Sequence, residues 1–361
     1  MRFFWCVLML TSLLPAQAPS PAKAAEGWLA LFDGETLFGW TREGAAEWRA
    51  AGGVLTATGS GTGRLRTNAL FGDYVLRYEF RADPKPVRWR TYELTLSGGR
   101  AVALIDGKRA ARESKPRAAA GPVVLEAARP GTVEFRNIRL KPLGLRTLFD
   151  GKTLTGWRTV DAPKPPQVAP EWSVRDGLLH VEHGPGGLES EALFGDFVLQ
   201  LEVRANAPDA QHHPNSGVFF RAIPGGFWTG YEAQIRNEWE NGDRSRPVDF
   251  GTGGIYRNQP ARRVVSTDGE FFTMTVAACG RHLAVWVDGY PVSDWDDPHP
   301  AGDNVRKGEA RLAAGAISLQ AHDPTTNLDF RNLRAAGLVR DAKSPVAGAA
   351  RPGRRMRPHG K

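Results

Sequence analysis

The chain has 361 residues, 41% hydrophobic and 24% charged, which suits a soluble globular protein of about two domains. It has two cysteines, one of them (Cys6) inside an N-terminal apolar run, so a small cystine-stapled scaffold is excluded. The net charge of +8 is concentrated at the C-terminal end, where Val339–Lys361 carries seven basic residues against Asp341, so the rest of the chain does not read as a nucleic-acid binder.

The N-terminus reads as an export signal over residues 1–24. Arg2 is the basic start, Phe3 to Leu14 the apolar core, and Ala16-Gln17-Ala18 or Ala22-Lys23-Ala24 the small-residue cleavage site. A periplasmic or secreted mature protein is therefore expected. The apolar run is too short to span a bilayer comfortably, since a spanning helix needs about 20 residues.

After the signal, three landmarks occur twice. Leu31-Phe32-Asp33-Gly34-Glu35-Thr36-Leu37-Phe38-Gly39-Trp40 returns at 148–157, Ala69-Leu70-Phe71-Gly72-Asp73-Tyr74-Val75-Leu76 at 192–199, and Phe135-Arg136-Asn137-Ile138-Arg139-Leu140 at 330–335. The offset grows from 117 to 123 to 195, so the second copy holds 72 residues that the first lacks, largely at about 207–270. The domains expected are a short repeat at 27–143 and a complete one at 144–338. A basic tail at 339–361, too rich in Pro, Gly and charge to bury a core, would follow and touch anionic envelope polymers or lipid.

Strand signals dominate both repeats. Tyr74–Arg81 and Phe197–Arg204 alternate apolar and polar residues. Thr273–Ala277 and His282–Val287 flank Cys279-Gly280-Arg281 as a hairpin, and Asp288-Gly289-Tyr290 turns the chain again. Ala316–Gln320 and Asn327–Leu333 are two further strands. No helical period of useful length follows the signal. The fold class expected is all-β: two tandem antiparallel β-sandwiches.

The extra segment carries the polar groups that the first repeat lacks. On a strand through Tyr231-Glu232-Ala233-Gln234-Ile235-Arg236, side-chain alternation puts Glu232, Gln234 and Arg236 on one face. Asn215, Arg221 and Tyr256 belong to the same segment, with Trp228 as an aromatic surface for a sugar ring. Gln320-Ala321-His322 also has no counterpart in the first repeat, which is therefore expected to be a scaffold or a non-catalytic carbohydrate module. A paired-carboxylate glycosidase would need a second acid beside Glu232; Glu238 and Glu240 qualify only if the strand runs past Asn237. His212 and His213 could join His322, Asp323 and Glu232 around a divalent metal, although no short metal-ligand spacing is present.

The repeated opening motif resembles the 3-keto-disaccharide hydrolase family. The resemblance also rests on Asn215-Ser216-Gly217-Val218-Phe219-Phe220-Arg221, Gly230-Tyr231-Glu232-Ala233-Gln234-Ile235, Thr252-Gly253-Gly254-Ile255-Tyr256, Gly315–His322 and Phe330-Arg331-Asn332. It implies a concanavalin-like jelly-roll and action on sugars oxidised at C3, with a sugar 3-oxidoreductase as upstream partner. Such a ketone acidifies the C2 hydrogen, so a base, enolate donors and an acid for the leaving oxygen are needed. Glu232 or His322 is the candidate base. Arg221, Asn215 and Gln234 are candidate oxyanion donors, Tyr256 the leaving-group donor, and Trp228, Gln320 and Arg236 further substrate contacts. No cofactor is required by this chemistry, and a divalent metal stays open. A non-enzymatic glycan-binding protein is the alternative.

Overall fold

The computed structural model describes residues 26–59, 61–82, 88–110 and 120–339. The expected export signal at 1–24 and the basic tail beyond Val339 lie outside the described residues. Among those described, the only helical pieces are the 3-10 turns Glu240–Gly242 and Val305–Lys307, and the rest of the regular structure is β-strand. The all-β reading thus describes the molecule.

The strands form four antiparallel sheets that divide along the chain. In the first repeat the large sheet runs, in spatial order, Glu47–Ala51, Val54–Gly59, Gly131–Pro142, Tyr74–Ala82, Arg90–Ser97, Arg100–Ile105 and Lys108–Arg109. Its small sheet has three strands, Val124–Ala127, Gly63–Thr67 and Trp40–Gly44. In the second repeat the large sheet runs Glu171–Arg175, Leu178–Glu182, Asn327–Gly337, Phe197–Ala205, Phe272–Cys279, His282–Val287 and Tyr290–Asp296. Its small sheet has five strands, Trp157–Asp161, Gly186–Phe194, Gly315–Ala321, Ser216–Ala222 and Tyr231–Ile235. The last two strands, absent from the first repeat, come from the extra segment.

The repeated motifs are turn and bulge chemistry. Asp33 Oδ1 accepts from the Glu35 and Thr36 amides at 2.8 and 2.7 Å, and Asp150 Oδ1 from Lys152 and Thr153 at 2.8 Å each. The indole N–H of Trp40 donates to the Leu31 carbonyl and that of Trp157 to Leu148, which closes the loop onto the core. Asn137 and Asn332 both sit at φ 53°, a left-handed value that asparagine tolerates, at the bulge that ends the Phe-Arg-Asn motif.

Each sandwich has its core between its two sheets. In the second, Leu199, Leu201 and Val203 of the large sheet pack with Val218, Phe220 and Leu319 of the small one. The outer face of that large sheet is covered by the first repeat. Val198, Ala277, Ala284 and Trp286 join the core of the first repeat, with the Phe71 and Trp286 rings 6.0 Å apart. The Trp286 indole donates to the Ala30 carbonyl at 3.0 Å. Burying the apolar part of Trp286 and Phe71 here is worth about 1.5–3 kcal/mol each. The run Leu283-Ala284-Val285-Trp286-Val287 is apolar on both faces because both faces are buried.

Candidate functional site

The small sheet of the second repeat has one face in the core and one turned outward. Tyr231, Ala233 and Ile235 enter the core, so Glu232 and Gln234 share the outward face. Register carries this face across four strands. Glu189 pairs with Ser318, Ser318 with Phe219, and Phe219 with Glu232. One step along the strands, Gly187 pairs with Gln320 and Gly217 with Gln234. The two glycines leave a trough in the floor. A Cβ on Gly217 would occupy the space of the Glu232 carboxylate, and one on Gly187 would come within 3.2 Å of the Ser318 hydroxyl.

Glu232 is the focus of this trough. It is buried, and no hydrogen bond to its carboxylate is made among the described residues. Burial pushes its pKa up to about 8; Arg306 and Arg257 pull it down and Asp249 pushes it up. Gln234 and Gln320 are also buried, and each has a carbonyl oxygen with no partner. Buried unpartnered acceptors are costly unless a ligand supplies the donor, and hydroxyl-rich sugars do.

Loops from the extra segment close one side. Asp249, which the sequence reading passed over, takes a hydrogen bond from the Gln234 side chain at 3.0 Å and another from Asn215 at 3.2 Å. Its backbone φ of 48° marks the special turn that aims it inward. Asn215 also stands 3.5 Å from His322 Nε2, and His322 Nδ1 is held by Asp323 at 2.8 Å. A carboxylate on Nδ1 favours the Nδ1–H tautomer and leaves Nε2 as an acceptor toward Asn215. Residues Thr252–Tyr256 add to the sheet edge: Gly253 donates to the Gln234 carbonyl at 2.8 Å and Tyr256 to the Glu232 carbonyl at 2.9 Å. The structure therefore brings together Glu232, Gln234, Asn215 and His322 with Asp249. Gln320 shares the sheet face with Glu232 and Gln234, while Tyr256 borders the trough with its ring 5.2 Å from Phe250.

Other expected residues are placed elsewhere. Arg221 is fully buried and at φ 51° swings out of the strand pattern to the end of the sandwich. There it donates to the carbonyls of Gly195, Gly280 and Arg311 and to the Asp196 carboxylate. It is a structural tie and not an oxyanion donor. Arg236 follows the end of its strand at Ile235 and is spent on Glu238 and the His213 carbonyl. Glu238 is held there, and Glu240 pairs with Arg246, so neither is the second carboxylate. Trp228 is stacked on Phe227 at 4.4 Å and on His322 at 5.4 Å, so its ring orients the histidine instead of standing free. His212 pairs with Asp209 and His213 with Asp268, away from His322. Among the described residues no group of three or more His, Cys, Asp or Glu side chains is arranged to hold a metal. In the acidic stretch at 294–297, Asp297 is buried and takes the Tyr231 hydroxyl at 2.5 Å.

Glu189 was also missed. It is fully buried at the far end of the Glu232 row, where it pairs with Arg158 and accepts from the Gly225 amide at 2.9 Å. Its signal in the sequence, a glutamate inside Gly-Gly-Leu-Glu-Ser, becomes legible only beside the neighbouring strands.

The chain belongs to the family described as the 3-keto-alpha-glucoside-1,2-lyase-like domain, whose model matches residues 27–86 and 144–336. This membership supports a carbohydrate-active role, and the match covers only the beginning of the first repeat. Two solved structures from Parabacteroides distasonis ATCC 8503, provisionally described as glycosyl hydrolases, are similar to the chain. One has 18% identity over 54% of this chain and 94% of its own, with a TM-score of 0.41. The other has 23% identity over 54% of this chain and 99% of its own, also at 0.41. The carbohydrate binding module CBM66 from Bacillus subtilis is similar at 15% identity over 50% of this chain and 96% of its own, with a TM-score of 0.36. No curated protein matches the chain.

Proposed function

We propose that the chain is an exported enzyme that cleaves 3-keto-glycosides, with Glu232 as the base. The observation that carries this reading is the Glu232 carboxylate, buried without a hydrogen-bond partner and with its pKa pushed up to about 8. A general base works best when its pKa lies near the working pH.

Glu232 takes the proton from C2, and the C–H electron pair moves toward the C3 ketone as an enolate. The pair returns to form a C1–C2 double bond and expels the C1 oxygen, which takes up a proton. Water then adds across the double bond, hydroxyl to C1 and hydrogen to C2, so the net result is hydrolysis. The unpartnered carbonyl oxygens of Gln234 and Gln320 accept sugar hydroxyls. The nearby charges of Arg257 and Arg306 stabilise the enolate, and Asn215 holds Asp249 and His322 in place beside it. His322, held by Asp323, is a second proton carrier, and Tyr256 serves the leaving oxygen. The keto substrate requires an oxidoreductase upstream that acts on the sugar C3 hydroxyl.

The test follows release of the leaving group from a 3-keto-glucoside and from its unoxidised parent, with and without chelator. Cleavage of the keto compound alone is expected, unaffected by chelator. Cleavage of the parent would point instead to a Glu232–Asp249 glycosidase pair. Binding without turnover of either would favour a glycan-binding protein.

A further inference from the structure

We infer that the first repeat positions the active-site loop of the second, with Asp33 and Asn68 as positioning residues; this rests on the reaction proposed above. The loop spans residues 249–262. It begins with Asp249 in the trough, passes Tyr256 and Arg257 beside Glu232, and ends at Arg262. It is joined to the sheet by isolated bridges and to itself by bonds such as Ala261 N–H to the Phe250 carbonyl at 2.8 Å.

Its outer end is held by the first repeat at two points. Arg262 donates to Asp33 Oδ2 at 2.6 Å, and its guanidinium lies 4.5 Å from the centre of the Phe38 ring. Gln259 accepts from the Asp294 amide at 2.9 Å and donates to its carbonyl at 3.2 Å. Asp294 in turn takes the Asn68 amide at 2.8 Å, and Asn68 is oriented by the Thr41 hydroxyl at 2.6 Å.

The repeat supplies its own control. Asp150, the counterpart of Asp33, makes the same turn bonds but is exposed and, among the described residues, pairs with no arginine. Asn68 corresponds to Glu191, which is also exposed. Asp33 is 6% exposed because Arg262 covers it. The motif therefore builds a turn in both repeats and clamps the loop in only one. A charge-assisted bond at a covered site resists solvent screening better than a surface pair does.

The experiment compares Asp33→Asn, Arg262→Gln, their double variant, Arg262→Lys and Asp150→Asn in the full chain. Amide hydrogen exchange and turnover of a 3-keto-glucoside are read in parallel. Asp33→Asn and Arg262→Gln should each speed exchange at 249–262 about tenfold while leaving the strand Tyr231–Ile235 unchanged, and should lower kcat about tenfold. The double variant should be no worse than either single one, because both remove one interaction. Arg262→Lys should restore most of the activity, and Asp150→Asn should change neither readout. Unchanged exchange in the loop, additive losses in the double variant, or an equal effect of Asp150→Asn would overturn the inference. If exchange rises as expected while the unsubstituted chain cleaves no keto sugar, the clamp stands and the proposed reaction fails.

Discussion

The two repeats share their turn motifs, their bulge and the core logic of a β-sandwich, yet their small sheets differ by two strands. In the first repeat the small sheet stops at Val124–Ala127. In the second, Ser216–Ala222 and Tyr231–Ile235 extend it and bring Glu232 and Gln234 onto a face floored by Gly187 and Gly217. The lesson is that the scaffold and the candidate chemistry are separable. The same loop-closing tryptophan and aspartate serve both repeats, while Glu232, buried without a hydrogen bond to its carboxylate among the described residues, belongs to one. A second difference lies at the interface. The second repeat offers an outer sheet face with Ala277, Ala284 and Trp286, and the first repeat covers it.

The sharpest way to break this comparison is at Glu232. Glu232→Gln should lower kcat on a 3-keto-glucoside by about a thousandfold, within the usual range for loss of a general base. It should also remove a pH-dependent cost. The ordinary pKa of 4.5 applies unfolded and about 8 folded, so ionisation favours the unfolded state as pH rises through this window. Stability should thus fall steadily as pH rises across it, fully by the folded pKa, and Glu232→Gln should flatten that slope in urea melts. In the unsubstituted chain, kcat/KM should climb with pH until Glu232 is ionised near 8.

Arg221 tests the opposite claim, that a residue of the extra segment is structural. Arg221→Met removes the ion pair to Asp196, which keeps the Gly280 amide, and takes the guanidinium donors from three carbonyls, so it should cost about 3–5 kcal/mol in denaturation. Folded protein recovered at low temperature should keep its KM. At the interface, Phe71→Ala should cost about 3 kcal/mol by leaving a cavity against Trp286, visible as a lower midpoint in urea. The smallest effect sharpens the trough. Gly217→Ala should push the Glu232 carboxylate aside and reduce kcat/KM about tenfold with little change in melting temperature.

Much of the fold was legible because its signals are local. Alternation marked Tyr74–Arg81 and Phe197–Arg204, and the Cys279-Gly280 turn joins the two strands expected to flank it. The location of the extra strands followed from where the repeat offset grows. For the site, the pairing of Glu232 with Gln234 was legible from the period of two. Asn215 and His322 could be nominated by type and position, but Asp249 could not, because an acid in Pro-Val-Asp-Phe-Gly gives no sign of which strand it will face. Arg221 misled for a related reason: a strand pattern points it toward one sheet face, and its φ of 51° breaks that pattern. Arg236 misled because the strand ends one residue before it.

By itself the sequence determined the β class, the repeated turns and the place of the insertion, since side-chain period, glycine conformation and Asx turns act within about ten residues. The tertiary structure alone decided which polar groups meet. Sheet register set Glu232 over Gly217, loop closure brought Asp249 to Gln234, and packing of one repeat on the other buried Asp33 against Arg262. Those are contacts between residues far apart in the chain, and burial, which raises the Glu232 pKa, exists only once the sheets and loops have assembled around it.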